Sequence, residues 1–420
     1  MTRFDRAVAI VAAVLGGFVA GYAVVDSEPY DITMAESGFS PFPWWLTPQW
    51  VGILALVSAV GALALLQRLP VAWTWCAALL GPGLLAAPAV VDIATAQSGS
   101  VNGLGAGLIV AAAGRLADGR SVVLLGLLGG LLCSAVFSAH VQLALWGRVE
   151  RWSVSIGPFY PEPAVPVSVL VVVGVVLLIA MWRNGFEGFA LIARGSVGVV
   201  SLLAAVLLLT YVWLGSTAAS VGSWTVAVAV ASGSVILAAR VLPEGRVVLV
   251  GLAVAASCVS QVAWIGQLEG VALGVRLGLV VVGLAVGLRV RKPTPGVVVI
   301  AVVTASGLLV DWVDGVPEVA YVAVLPLAVG YAVGACVPRR ADALIGAMVP
   351  FAMTYFTISP PVPPAEYEWR TNFAYVVEPP KIVIEVYGPL AVGVLVATAV
   401  ACVAAVAMWR LSFAKVAAAG

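Results

Sequence analysis

Chemistry has few places to begin in this chain of 420 residues, which carries a single histidine. His140 comes late in a long apolar run, with Gln142 two residues on and so on a different face of a helix. An imidazole placed there is either a hydrogen-bonded structural group, which is the expectation, or a proton relay or ligand. Arg276 stands a turn or two inside another apolar run. It is expected to snorkel its head outward to an acidic face, the other reading being contact with an anion or headgroup. Asp26 and Asp31 follow the first apolar run, and an exposed carboxylate near the interface is what general-base chemistry on a sugar hydroxyl needs. Pro82 and Pro88 (in LLGPGLLAAP), Pro326 (followed by Gly330 and Gly334) and Pro350 interrupt apolar runs as helix breaks. Broken helices expose backbone groups within a bilayer and so point to binding sites, although kinks and close packing account for the same letters.

The absences narrow the field further. Metal-ligand spacing, a phosphate-binding Gly-x-x-x-x-Gly-Lys loop, a nucleophile elbow and a Cys/His pair do not occur. All five cysteines (Cys76, Cys133, Cys258, Cys336, Cys402) lie in apolar runs, so neither a disulfide framework nor a thiolate metal site is expected. No cofactor, metal or nucleic-acid partner is expected, and active transport would draw on an ion gradient or a partner.

The elements that position these residues are helices in a membrane. With 62% hydrophobic and 10% charged residues the chain lies outside the range of soluble domains, where about a quarter of residues are charged. Apolar runs of the roughly 20 residues needed to cross a bilayer follow one another almost end to end. The fold expected is an all-α integral membrane bundle, a single transmembrane domain over 1–420 with halves at 1–215 and 220–415 and no soluble domain. Fourteen candidate spans can be marked, at about 5–25, 50–67, 71–92, 101–117, 121–146, 164–182, 196–215, 221–241, 246–266, 270–290, 296–313, 318–337, 342–358 and 388–410. The fourth and eleventh are short or glycine-rich, which leaves a range of twelve to fourteen. The first follows Arg3 and Arg6 without an evident cleavage site before Asp26, and is read as an uncleaved helix.

Charge orients the spans. With the N-terminus in the cytoplasm, Arg68, Arg115, Arg120, Arg183, Arg194, Arg240, Arg246, Arg289, Arg291, Lys292, Arg339, Arg340, Arg410 and Lys415 fall on the inner side at every second loop. The opposite loops are acidic, with Arg148, Arg151, Arg370 and Lys381 as their only cations, and both termini are then cytoplasmic. The location expected is a prokaryotic cytoplasmic membrane. Three outer loops, 26–49, 147–163 and 359–389, are long and rich in Pro and aromatics. They suit an interfacial belt that caps the bundle, or a shared outward-facing site. Between Arg183 and Gly195, Phe186, Phe189 and Ile192 recur at helical spacing, as in a short interfacial helix.

Polar residues inside the spans are few: Thr210, Ser257, Ser260, Gln261, Thr304, Ser306 and Thr354, with no Asp or Glu at a span centre. A proton-coupled carrier needs a buried titratable group and a sugar carrier a polar cavity, so a lipidic or hydrophobic ligand fits better.

The loop Gly114, Arg115, Leu116, Ala117, Asp118, Gly119, Arg120 resembles a shortened form of the cytoplasmic signature of major facilitator transporters, which joins helices two and three. Here Gly-Arg follows the Asp at once, and the loop joins the fourth and fifth spans. In span number the chain is similar to the lipid-linked flippases of bacterial cell-wall synthesis, whose cationic cavity has a counterpart only in Arg276. A third similarity is to membrane glycosyltransferases that use polyprenyl-linked donors and place a carboxylate base in the first outer loop. That resemblance implies Asp26 or Asp31 as base, with Arg148, Arg151, Arg370, Lys381 or Arg276 near the donor phosphate.

Three functions follow: a transporter or flippase for a lipidic or hydrophobic substrate with His140 and Arg276 as polar contacts, an outward-facing transferase, and a non-catalytic subunit bound to a membrane-protein partner. Substituted-cysteine labelling of intact cells is expected to reach position 36 or 366 from outside and positions 120 and 291 only after permeabilisation. Labelling of 120 or 291 in intact cells would reverse the orientation.

Overall fold

The computed structural model describes residues 2–25, 51–91, 93, 95–145, 165–185, 194–216, 220–242, 244–261, 273–309, 312–313, 315–337, 343–358 and 387–417. In chain order the helices are α1 (Arg3–Val25), α2 (Val51–Leu66), α3 (Ala72–Ala86), α4 (Thr95–Ala117), α5 (Ser121–Leu145), α6 (Val167–Asn184), α7 (Arg194–Ser216), α8 (Val221–Val241), α9 (Gly245–Gln261), α10 (Leu273–Val290), α11 (Thr294–Ser306), α12 (Val316–Val319), α13 (Leu325–Ala335), α14 (Ala343–Ile358) and α15 (Tyr387–Ala417). A π-helical turn, Ala320–Val324, joins α12 to α13 in one rod. Among the described residues eight helices are long and apolar enough to cross a membrane, and shorter apolar helices occupy other apolar runs.

The described elements are helical because of how a backbone is solvated. Hydrocarbon offers no partner to N–H or C=O groups, so a spanning segment has to close its hydrogen bonds within itself. The outer surface agrees: Leu202, Leu209, Val241, Val281 and Trp182 are each at least 65% exposed. Lipid covers such a face at no cost, whereas water would not.

Inside, small residues let backbones meet. An atom added as Cβ on Gly130 of α5 would strike the Val14 carbonyl of α1, and one on Gly330 of α13 the Val280 carbonyl of α10. Gly52 of α2 lies in the same way on the Phe351 carbonyl of α14. Without a hydrophobic drive between helices in lipid, such close van der Waals approach is what holds them.

The contacts also give direction. Val51 and Ala55 of α2 meet Gly103 and Gly107 of α4 in rising order, so these two helices are parallel. The pairs α1 with α5, α9 with α14 and α10 with α13 are parallel by the same test. In contrast α3 opposes α4, with Thr74 beside Arg115 and Gly81 beside Gly105. Likewise α1 opposes α6, with Asp5 at Arg183 and Gly16 at Leu177.

The fourth apolar run is longer than its hydropathy indicated. Helix α4 starts at Thr95 and most of its Gln97–Ala117 stretch is buried, making it a central post of the bundle. Gln97, Ser100 and Asn102 hid its first turns from an apolar reading, yet all three are at most 4% exposed. The eleventh run is a short helix extended by a 3-10 turn, Gly307–Leu309.

Adjacent glycines in α5 provide a test of this packing. Gly130→Ala is expected to cost about 1–3 kcal/mol through overpacking, whereas Gly129, which has open space beside it, should accept Ala with little change. Thermal unfolding of the purified variants in detergent measures the difference, and equal midpoints would contradict it.

Candidate functional site

Proline dictates the local structure on which the site rests. Pro326 has no N–H to donate, so a helix approaching it has to leave some carbonyls unserved. Here the chain shifts by one residue: the Leu325 N–H donates to the Ala320 carbonyl, closing a π-turn. In an α-helix that N–H would have gone to Tyr321, and the next N–H along belongs to the proline. Tyr321 therefore loses its helical donor inside an apolar bundle.

Arg276 supplies one. Its Nη2 donates to the Tyr321 carbonyl at 3.4 Å, and its Cζ lies 5.1 Å from the ring centroid of Phe137, a cation–π contact from α5. All three residues are about 1% exposed. The Tyr321 hydroxyl in turn donates to the Thr304 carbonyl of α11 at 3.3 Å. One end of the bundle thus gathers α5, α10, α11 and the interrupted rod around one guanidinium.

This corrects the expectation of snorkelling. Arg276 shares a face with Val280, Gly283 and Gly287, the buried stripe of α10, and that face packs on α13. At i, i+4, i+7 and i+11 the stripe is helical, so the inward direction of Arg276 was present in the sequence. What spacing could not supply was the carbonyl that receives it.

The other proposed breaks are placed differently. Pro82 lies within α3 and Pro350 within α14, while Pro88 sits in the 3-10 turn Ala87–Ala89. At Pro350 the carbonyl four residues back, Gly346, is closely approached by the backbone of Gly251 of α9. His140 falls in α5, but its side chain lies outside the described residues. Asp26, Asp31, the outer loops 26–49 and 147–163, residues 359–386 of the third and residues 186–193 also lie outside them, while 387–389 begin α15.

At the opposite end of the bundle, arginines cap helices. Arg115 Nη1 donates to the Leu66 carbonyl at the end of α2 and to Thr74 Oγ1 of α3, both at 2.6 Å. Arg120 Nη2 donates to the Asn184 carbonyl ending α6 at 3.0 Å. The Gly114–Arg120 loop that resembles a transporter signature thus spends both arginines on helix C-termini. Arg183 pairs with Asp5 at 3.2 Å and lies 4.9 Å over Phe4, joining α6 to α1.

The cysteines are all free thiols, and among the described residues no three His, Cys, Asp or Glu side chains come together. A groove of about 360 Å³ between α7 and α8 is lined by Val206, Leu209, Thr210, Trp213, Val226 and Val230. Its one hydroxyl, on Thr210, donates to the Val206 carbonyl, so the groove is apolar.

Fold and site together define an all-α membrane protein with a buried cation beside a broken helix. No family model matches the chain, and no curated protein matches it in sequence.

The relation between Arg276 and Pro326 can be measured. Arg276→Leu removes the side-chain donor to the Tyr321 carbonyl and is expected to cost about 1–3 kcal/mol. Adding Pro326→Ala lets the helix return to α-register, so the double variant should be more stable than the sum of the two predicts, by about 0.5–3 kcal/mol. Strict additivity in thermal unfolding would separate the two residues.

Proposed function

We propose that the protein is a carrier, of transporter or flippase type, that moves a lipidic or hydrophobic substrate across a cell membrane without an ATPase of its own. The observation that carries this reading is the coincidence of an intramembrane cation with a π-turn and a proline break at the meeting of four helical segments. Ionisable groups in spans mark functional sites by default, and π-turns are frequent there. A rod held in register partly by a side chain has two arrangements within reach, one with the guanidinium on the carbonyl and one without. Alternating access requires such a two-state element.

In this reading the chain crosses the membrane fourteen times, with both termini in the cytoplasm. The helix directions support it: each parallel pair is separated by an even number of crossings, and each opposed pair by an odd one. The Arg276 end then faces outward, and the capping arginines face the cytoplasm.

A non-catalytic membrane subunit is the second reading, favoured by the glycine contacts that close the bundle backbone to backbone. The two separate in proteoliposomes that hold a fluorescent short-chain phospholipid, with dithionite bleaching the outer leaflet. A carrier is expected to expose inner-leaflet label severalfold faster than empty vesicles, and Pro326→Ala to slow that exposure. Folded protein that never exceeds empty vesicles for any lipid tried would leave the subunit reading standing.

A further inference from the structure

We infer that the turn between α10 and α11 holds a phospholipid of net negative charge by its headgroup, through Arg289, Arg291 and Lys292. The inference does not depend on the carrier reading. Three cations within four residues stand exposed where α10 ends. Among the described residues no hydrogen bond, ion pair or ring contact engages their side chains. Elsewhere arginines at helix ends are committed: Arg115 and Arg120 donate to terminal carbonyls, and Arg183 pairs with Asp5.

The backbone at Arg291 singles out this turn. Its φ is 54°, in the left-handed region, and its N–H donates to the Gly287 carbonyl at 2.8 Å. Just past a helix end this conformation usually belongs to glycine, which has no Cβ to be crowded. Helix termination alone therefore favours Gly at 291, and the arginine stands there against a backbone preference. Residues held in this way point to function. The negative end of the helix does not call for it either, because Arg289 already lies in the last turn of α10.

The turn is held in place by α13. The Tyr331 hydroxyl donates to the Lys292 carbonyl at 2.9 Å. Gly287 lies on the Tyr331 carbonyl, and Gly296 on the Tyr331 ring and Ala332, so α13 clamps the chain on both sides of the turn. Pro293 and Pro295 stiffen it further. The backbone that carries the three cations is thus ordered before any ligand arrives, which lowers the entropy that binding has to overcome.

Lipid reaches the same place. Val286 and Val290 of α10 and Val298 of α11 are each at least 44% exposed, and α10 is the least enclosed of the eight membrane-length helices. An apolar surface that ends in a cluster of cations complements a molecule with acyl chains and an anionic head. A zwitterionic headgroup sets a cation of its own against the three. Free phosphate has no acyl chains for the valines.

The test uses the purified full chain in a neutral detergent at low salt, with thermal unfolding as readout. Dioctanoyl phosphatidylglycerol, dioctanoyl phosphatidylcholine and inorganic phosphate are the probes. Phosphatidylglycerol is expected to raise the unfolding midpoint in a saturable way, and the other two to leave it in place. Arg291→Gly should keep or raise the midpoint without lipid, because glycine accepts the left-handed backbone, yet weaken phosphatidylglycerol about fivefold. Changing Arg289 and Lys292 to Gln as well should weaken it roughly a hundredfold. Arg240→Gln removes an exposed cation at the end of α8 and should leave the response unchanged. If the triple variant does not fold, Arg291→Gly carries the test by itself. An unchanged response in Arg291→Gly, or an equal response to phosphatidylglycerol and phosphatidylcholine, overturns the inference. A midpoint lowered by Arg291→Gly without lipid would make Arg291 a structural residue and overturn it as well. An equal loss in Arg240→Gln would replace the site by general surface attraction. An equal response to inorganic phosphate would keep an anion site and overturn its lipid occupant. Transbilayer movement enters none of these measurements, so the carrier proposal stands or falls separately.

Discussion

Every part of this protein answers to the rule that a backbone polar group inside hydrocarbon has to find a partner within the protein. The rule makes the described segments helical, and it makes Pro326 consequential. One missing N–H shifts the register of a rod, transfers the Leu325 donor to Ala320, and leaves Tyr321 to be served from α10. In water the same proline would cost a kink and a bound solvent molecule. In a membrane it recruits an arginine.

Two ends of the bundle use the same residue type for different purposes. Arg115 and Arg120 stand where helices finish, so their charges lie against terminal carbonyls that already carry partial negative charge. Arg276 instead reaches a mid-rod carbonyl and an aromatic ring, away from any helix C-terminus. That contrast separates an arginine that ends a helix from one that stands beside a helix break.

Close packing gives this small polar event its reach. Gly283 and Gly287 place α10 directly on α13, and Gly330 and Gly334 return the contact from the other side. With backbones this near, a shift in the rod is felt by α10 as a whole. Packed interfaces of this kind change between discrete arrangements and do not deform smoothly. The same contacts serve a rigid subunit equally well, because fit alone does not distinguish a part that moves from one that holds.

Much of the architecture was legible in the residues. Composition and the length of apolar runs determined an all-helical membrane protein, because the cost of burying an unbonded backbone is local and does not depend on which helices are neighbours. The charge alternation across loops likewise resides in single segments, and the inward face of Arg276 was written in its spacing to Val280, Gly283 and Gly287. The start of α4 was not legible, since Gln97, Ser100 and Asn102 look like loop letters until surrounding helices bury them. Nor could Arg115 be told from any basic turn before Leu66 and Thr74 were brought to it. Above all, the meeting of Arg276, Phe137 and Tyr321 was decided by tertiary structure alone. Those residues lie far apart in sequence, and a donor, a ring and a carbonyl acquire a common role only when packing of four separate helical segments places them within reach of one another.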